Sequence, residues 1–460
     1  MDFGALRREM RPMLRMALPL VLAEVGWMSM GLVDTVMVGH LPNAAEALSA
    51  SALAQVLYNA LVFGVGGVLL SLDTTVSQAH GAGELEEANR WMWQGLLLTV
   101  GLTAVLMALF GGAPFFLRRL HTDAVVIRGS VRTLGALSWG TLPLLVYFAL
   151  RRYLQAFNHV RVIAATLVSA NLVNVLFDWL LIFGHRFSFG GLNFGWEGLG
   201  VVGSGLATSM ARVYQALFLV GALYLLNRRY KYGLGKGWMR GPEWARLKRL
   251  LVLGAPAGGT ILVEIAVFAV SAAAIASLGP VALSGHEIAL NCISFTFMVP
   301  LGISAAASVR VGQAVGRGDA IGAKAAGWAA IALGGIAMLC SAAVFVGMPR
   351  LVAGSFTRDA AVIAATVPLL VVASVFQLCD GMQVTAIGAL RGAGDTASGL
   401  ITHFCCYWLM GLPLGLWLCF RRGMGARGVW LGLCCALVVA GVVLLLRWRR
   451  MGFVEGGGRG

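Results

Sequence analysis

Twelve apolar stretches of about 20 residues set the terms for anything this chain can fold into. They run at roughly 16–38, 50–76, 91–114, 131–150, 162–184, 199–226, 250–276, 285–309, 325–348, 360–390, 397–420 and 428–446. A helix rises about 1.5 Å per residue, so each is long enough to cross the ~30 Å hydrocarbon core of a bilayer. In that solvent every backbone polar group needs an internal partner, which leaves only helices and closed barrels. No stretch shows the alternating pattern of a barrel strand. The expected fold is therefore an all-α polytopic membrane protein with twelve transmembrane helices. A chain that is 59% hydrophobic and 12% charged is no ordinary soluble protein. Its 61 glycines suit helices that pack closely in lipid. The first run carries Asp34 and has no small-residue cleavage site before it, so it reads as a spanning helix rather than a cleaved signal.

The net charge of +15 raises the possibility of a nucleic-acid partner, and its placement argues against one. With the N-terminus assigned to the cytoplasm, 24 basic residues fall in inside segments, 10 in outside loops, and Arg212 inside a helix. Eight of the 24 lie between Arg228 and Arg249. That bias fits the positive-inside rule with both termini cytoplasmic, as in a plasma or bacterial inner membrane. All eight cysteines lie in apolar segments of the second half without metal-ligand spacing, and read as free thiols.

The basic connection divides the chain into a cytoplasmic N-terminus at 1–15, an N-lobe at 16–226, a linker at 227–249, a C-lobe at 250–446 and a tail at 447–460. The two sets of six helices match each other. Ala17-Leu18-Pro19 aligns with Gly254-Ala255-Pro256, and Gln78-Ala79-His80-Gly81 with Gln313-Ala314-Val315-Gly316. Leu154-Gln155-Ala156-Phe157 aligns with Ile387-Gly388-Ala389-Leu390; the offsets are 237, 235 and 233. Six helices per half give a parallel repeat about an axis along the membrane normal, with a central cavity between lobes, an architecture built for rocking.

Against this apolar background the acids stand out. Asp380 is the only charge in the 31 residues from Ala360 to Leu390. Glu264 is the single charge between Leu250 and Gly285, Asp178 the single charge between Val162 and His185, and Asp34 ends the first run. A mid-membrane carboxylate costs about 2.5–3.5 kcal/mol, so it marks a task, usually cation handling. The competing reading is a structural acid bonded to a neighbouring helix. The acids ignore the repeat: Asp34 maps onto Ser271, Glu264 onto Trp27, and Asp380 near Tyr147.

The segments Gly31-Leu-Val-Asp-Thr-Val-Met-Val-Gly39, Thr75-Val-Ser-Gln-Ala-His-Gly-Ala-Gly83 and Ala289-Leu-Asn-Cys-Ile-Ser-Phe-Thr-Phe-Met-Val-Pro300 resemble the MATE family of multidrug and toxin extrusion transporters. Ser308-Val-Arg-Val-Gly-Gln-Ala-Val-Gly316 and Gly388-Ala-Leu-Arg-Gly-Ala-Gly-Asp-Thr396 extend the likeness over essentially the whole chain, nearest to the NorM-type branch. The resemblance implies a secondary-active antiporter that exports organic, often cationic and amphipathic compounds against Na⁺ or H⁺, with no cofactor and a single chain as working unit. It implies an N-lobe cation site at Asp34, Asn174, Asp178 and Thr208, the Asn/Asp pair sharing a helix face by its i, i+4 spacing. It also implies a C-lobe site at Glu264 and Asp380, and Na⁺ could sit at Asp34, Asp178, Glu264 or Asp380. Two departures stand out: Phe376 where the branch often has a tyrosine one turn before the acid, and Glu287 after His286, like the glutamate of plant and animal members. Glu287 joins the C-lobe set, with a water-facing place near its helix start as the alternative. Trp27, Phe268, Phe295, Met298 and Phe376 are candidates to line a substrate cavity, against ordinary packing. His286 reads as a packing or hydrogen-bonding residue, and Asp73 as a helix cap or a neighbour's partner.

The rival with the same fold is a flippase for a lipid-linked oligosaccharide, whose phosphates call for basic side chains inside the N-lobe; only Arg132 and Arg212 lie in or near its helices. A membrane enzyme is disfavoured by the absence of a His/Glu metal motif, Gly-x-Ser-x-Gly or a phosphate loop.

Overall fold

The structure is a computed structural model and describes residues 3–117, 119, 123–189, 192–234 and 241–453. Arg118, Lys236, Arg240 and Arg459, counted in the charge distribution above, lie outside them. Among the described residues, 11 helices are long and apolar enough to span a bilayer, or 12 when one bent pair counts as a span.

In chain order the first six helices are α1 (Phe3–Val38), α2 (Ala44–Gly66), α3 (Ser71–Gly81), α4 (Leu85–Leu117), α5 (Ala124–Ser138) and α6 (Thr141–Ala156). Then come α7 (Val160–Phe183), β1 (Gly184–Phe189), β2 (Leu192–Glu197) and α8 (Val201–Tyr230). The second half holds α9 (Trp244–Ala276), α10 (Pro280–Gly316), α11 (Ala320–Gly347), α12 (Pro349–Gly354), α13 (Ala360–Gly392), α14 (Ala397–His403), α15 (Leu412–Leu416) and α16 (Ala426–Arg450).

Four features depart from a reading of twelve plain helices. First, α1 begins at Phe3, well before the apolar run at 16, because its first turns lie outside the hydrophobic window yet remain helical. Second, α5 and α6 bend by 48° at their junction. There the backbone presses on α8: a Cβ at Gly140 would lie 2.8 Å from Ser209 Cα, and Ser209 Oγ donates to Ala136 O at 2.8 Å, satisfying a carbonyl beside the break. Third, the span after α14 is π-helical over Phe404–Gly411 and again over Trp417–Arg421, on either side of α15. Pro413 lies in α15. It has no N–H and its ring crowds the carbonyl four residues back, so a widened turn upstream relieves it.

Fourth, the all-α expectation has an exception in the antiparallel hairpin β1–β2, in register from Gly184↔Glu197 to Phe189↔Leu192. It closes the end of α7. Trp196 Nε1 donates to Leu180 O at 2.9 Å, Leu199 N to Leu181 O at 2.8 Å and Gly200 N to Ile182 O at 3.1 Å, so carbonyls that a helix end leaves open are used.

Large apolar side chains cover the surface as well as fill the core, and a few polar side chains are buried among them. Leu172 is 70% exposed, Leu32 66% and Val375 65%, whereas Asn174 and Asp178 are fully buried. On α7 the buried face runs through Ala170, Asn174, Asp178 and Ile182, and the exposed face through Val168, Leu172 and Leu176. Along α7 a lipid-suited surface of leucine and valine lies opposite a buried face that carries polar side chains. This is a multi-pass membrane protein.

The chain divides into two compact units: Met1–Val25 with Asp73–Glu84 and Val252–Gly460, and Gly26–Leu72 with Leu85–Leu251. In the first unit an apolar cluster that includes Phe345, Leu370, Phe376, Trp430 and Leu437 packs α11, α13 and α16 together. The same unit brings the two copies of the Gln-Ala-x-Gly motif face to face. A Cβ at Gly81 would lie 2.2 Å from Gln313 O, and one at Gly316 would lie 2.0 Å from Gln78 O. Each motif's glycine thus receives the other motif's glutamine carbonyl, a reciprocal contact like that of an isologous dimer. Around it Gln78 Nε2 donates to Gly392 O at 3.0 Å, Thr74 Oγ1 to Arg391 O at 2.5 Å, and Arg391 Nε lies 3.3 Å from Asp73 Oδ2. Asp73 is therefore a partner of a neighbouring helix.

Candidate functional site

In the unit built from Gly26–Leu72 and Leu85–Leu251, three helices converge on one polar nest. α1 brings Asp34, α7 brings Asn174 and Asp178, and α8 brings Thr208, all of them buried. Asp34 interacts with Asp178, Thr208 and Asn174. The bond with full hydrogen-bond geometry is Thr208 Oγ1 to Asp34 Oδ2 at 2.9 Å; the same hydroxyl lies 3.0 Å from Ser204 O, and its single hydrogen serves one at a time. Asp34 Oδ1, both carboxyl oxygens of Asp178 and both amide atoms of Asn174 have no hydrogen-bond partner. Two buried carboxyls this close share a proton, which leaves one negative charge, or need a cation to offset two. The donor set of carboxylate, amide and hydroxyl oxygens suits a hard cation or a shared proton. Arg212, one turn beyond Thr208 on α8, acts electrostatically on Asp34. Its guanidinium is held 4.4 Å above the Tyr58 ring, and Tyr58 OH is 3.2 Å from Thr141 Oγ1. The sequence placed Arg212 in a helix without assigning it to this nest.

The other unit holds a second polar group, centred on Asp380 of α13. Asp380 is 4% exposed, and Gln383 one turn on is fully buried. Gln383 Nε2 donates to Asp380 Oδ1 at 3.1 Å and to Tyr407 OH at 3.1 Å, so one amide nitrogen ties the carboxyl to the π-helical segment. Gln383 Oε1 has no partner. Glu264 of α9 acts electrostatically on Tyr407 and feels Asp380; its side chain keeps 23% exposure. His403 closes α14, its Nδ1 is 3.9 Å from Glu264 Oε2, and its ring meets Tyr407 edge-on at 5.0 Å. Neither ring nitrogen of His403 forms a hydrogen bond. Trp408 Nε1 donates to Val263 O at 3.1 Å, fastening the segment to α9 beside Glu264. Gln383, His403 and Tyr407 were missed by the sequence reading, because uncharged polar residues in apolar helices look like ordinary interhelical contacts. Phe376 carries no hydroxyl, and Tyr407 brings one to the Gln383 amide.

The remaining candidates lie elsewhere. Glu287 is exposed near the start of α10, in a recess shared with Thr357, Asp359 and Val362. Asp359 caps α13, and Asp380 lies 21 residues further along that helix, ~30 Å away at the helical rise, so Glu287 does not join Glu264 and Asp380. Phe376 is 3% exposed in the apolar cluster, 6.3 Å from the Trp430 ring, and is core rather than lining. Phe268 packs against the same cluster. Phe295 is 55% exposed, Met298 is half-buried, and Trp27 sits among Phe63 at 6.1 Å and Phe148 at 5.9 Å. Trp27 belongs to one unit, and Phe268, Phe295, Met298 and Phe376 to the other. His286 accepts from Trp430 Nε1 at 3.1 Å, a hydrogen-bonding role in the core. All eight cysteines are free.

Comparison with known proteins places this arrangement. The MatE family model matches the chain twice, over residues 19–180 and 256–417. The chain belongs to the MatE family. It is 33% identical over 454 residues to a probable multidrug resistance protein NorM of Mesorhizobium japonicum, covering 96% of this chain and 94% of that one. It is 35% identical to a second, from Xanthomonas campestris pv. campestris, over 95% and 93% of the two chains. A multidrug resistance protein MdtK of Yersinia enterocolitica is 32% identical over 96% and 95%. Among solved structures, the eukaryotic MATE transporter AtDTX14 superposes with a TM-score of 0.87 over 98% of this chain and 97% of that one, at 21% identity, and supports the fold. As a MatE-family member the chain is a transporter, not an enzyme. The two family matches start at 19 and 256 and end at 180 and 417, an offset of 237 both times. That is the offset between Pro19 and Pro256.

Proposed function

We propose that this chain is a secondary-active multidrug exporter that moves organic, cationic, amphipathic compounds out of the cell in exchange for Na⁺ or H⁺. The observation that carries the coupling is the two carboxyl groups, buried Asp34 with buried Asp178 and buried Asp380 with half-buried Glu264, in helices otherwise made for lipid. A cation entering either group offsets charge that the membrane interior penalises, and its release restores that penalty. One elementary charge moving through about 100 mV yields about 2.3 kcal/mol, enough for a concentration ratio of about fortyfold. The curated relatives named for multidrug resistance support the cargo. The bias of 24 basic residues against 10 supports cytoplasmic termini in a bacterial inner membrane, and a single chain carries both groups. The flippase reading is weaker: Arg212 is committed to Tyr58 and the Asp34 nest, leaving few cations for a phosphate cargo.

The test is ethidium efflux from proteoliposomes under an imposed sodium gradient and, separately, a proton gradient. At least one gradient is expected to drive efflux, and Asp380→Asn and Glu264→Gln are each expected to cut the driven rate about tenfold or more while the protein still inserts. Efflux indifferent to both gradients would sink the antiport reading.

A further inference from the structure

The structure assigns a positioning role to two residues outside the acid set: we infer that Gln383 and Tyr407 hold Asp380 in place for its cation and link it to the π-helical segment Phe404–Gly411. The inference rests on the antiport reading above.

Three observations carry it. A single amide nitrogen, Gln383 Nε2, serves both Asp380 Oδ1 and Tyr407 OH at 3.1 Å, one N–H for each. Asp380, Gln383 and Tyr407 are all at least nine-tenths buried, so no bulk water substitutes for these bonds. Gln383 Oε1 has no partner, so the amide is fixed by its donor side alone. The orientation follows from charge. A carboxylate accepts and cannot donate, so it holds the NH₂ end of Gln383 toward itself. A cation that takes up the lone pairs of Asp380 weakens that hold and frees the amide to turn, offering Oε1 to the Tyr407 hydroxyl or to the cation itself. The state of Asp380 on α13 is in this way passed to a tyrosine on another helix.

The receiving element is suited to the task. Tyr407 sits within a π-helical run, a backbone form that leaves hydrogen bonds longer and less regular than an α-helix and that recurs at functional sites. Trp408, the next residue, is tied to Val263 O, adjacent in sequence to Glu264. The segment is therefore linked to Asp380 through Tyr407–Gln383 and to the backbone beside Glu264 through Trp408–Val263. Among the described residues, the charged and titratable groups on the surrounding elements include Glu264 on α9, Asp380 and Cys379 on α13, His403 closing α14, Cys405 and Cys406 within the segment, and Cys434 and Cys435 on α16.

The experiment uses the full chain in proteoliposomes, with ethidium as cargo and whichever ion gradient drives the unmodified protein. Gln383→Met keeps the side-chain length without the amide; Tyr407→Phe removes only the hydroxyl. Each is expected to raise the half-saturating concentration of the coupling ion about tenfold, the size expected when a hydrogen bond to a charged group is lost. The double variant is expected to do no more than the worse single variant, because both act through one relay. A purely structural role would instead lower the maximum rate or the yield and leave half-saturation in place. Half-saturation within twofold of the unmodified protein in both single variants overturns the inference, as does simple additivity in the double variant. If Gln383→Met fails to fold, Tyr407→Phe decides alone. Failure of the antiport reading itself shows differently, as efflux in the unmodified protein that ignores both gradients.

Discussion

Asp34 and Asp178 are unequally compensated in this interior, since Arg212 acts electrostatically on Asp34. Thr208 offers one hydrogen to Asp34, and Asp178 has none from any hydrogen-bond donor. With both carboxyls ionised and no cation between them, each raises the energy of the other. Replacing Asp178 by Asn keeps the shape and removes one charge. In sodium-free buffer at alkaline pH, Asp178→Asn is expected to melt a few degrees above the unmodified protein, reflecting about 1 kcal/mol or more of relieved repulsion, while its efflux falls. A lower melting temperature in that buffer would show that the two acids are not in conflict. The acids themselves were legible in the sequence, since a lone charge in 20–30 apolar residues has few explanations. Their partners were not. Gln383 and Tyr407 carry no charge and break no pattern, and Arg212 reads as one more basic residue until its stacking on Tyr58 is seen. Glu287 misled for the opposite reason: its kind was right, but its height along α10, level with Asp359, is a fact of three dimensions.

The elements themselves were largely legible from hydrophobic length, except where local packing rather than composition decides. The bend at Gly140 and the π-helical turns before Pro413 answer to neighbours and to a missing N–H, which no hydropathy window contains. The connection after α8 shows how a basic, water-facing segment is held. Asn89 Nδ2 of α4 donates to Tyr232 O at 2.8 Å, His159 Nε2 lies 2.6 Å from Tyr232 OH, and Tyr232 stacks on Tyr230 at 5.6 Å and meets Phe157 edge-on at 4.8 Å. Burial holds His159 below the usual histidine range. Its folded pKa is thus depressed, so the neutral ring and its bond to Tyr232 are intact above about pH 6.5 and are lost as pH falls through the lowered value. Amide protection factors over residues 231–234 are expected to fall as pH is lowered through the depressed His159 range, and His159→Gln is expected to remove that dependence. Protection that falls equally in the unmodified protein and in His159→Gln contradicts this. In the other unit, Gly81→Ala places a Cβ 2.2 Å from Gln313 O and is expected to cost about 1–3 kcal/mol, read as a lower melting temperature.

At the scale of the whole molecule, the repeat explains more than architecture. The same family model fits residues 19–180 and 256–417, yet the polar groups in the two halves are unlike, Asp34 with Asp178 in one and Asp380 with Glu264 in the other. What the halves share is the packing surface at Gln78–Gly81 and Gln313–Gly316, each docking on its counterpart's carbonyl. Beside it, Glu9 of α1 and Arg310 of α10 form a two-pronged ion pair, with Nη2 to Oε1 at 2.8 Å and to Oε2 at 2.7 Å, both side chains 19% exposed. If the proposed transport cycle parts α1 and α10 at this end, the Glu9–Arg310 contact opens once per cycle, while a contact used only for folding stays shut. The two cases separate cleanly. In a background lacking the eight native cysteines, E9C/R310C is bridged with a short, reducible bifunctional thiol reagent. Bridging is expected to slow ethidium efflux by about tenfold or more, a barrier increase of about 1.4 kcal/mol, and reduction to restore it. An unbridged single variant, E9C treated with the same reagent, controls for the lost ion pair. Full-rate efflux from the bridged protein would mean that α1 and α10 remain together throughout transport and that the moving interface lies elsewhere.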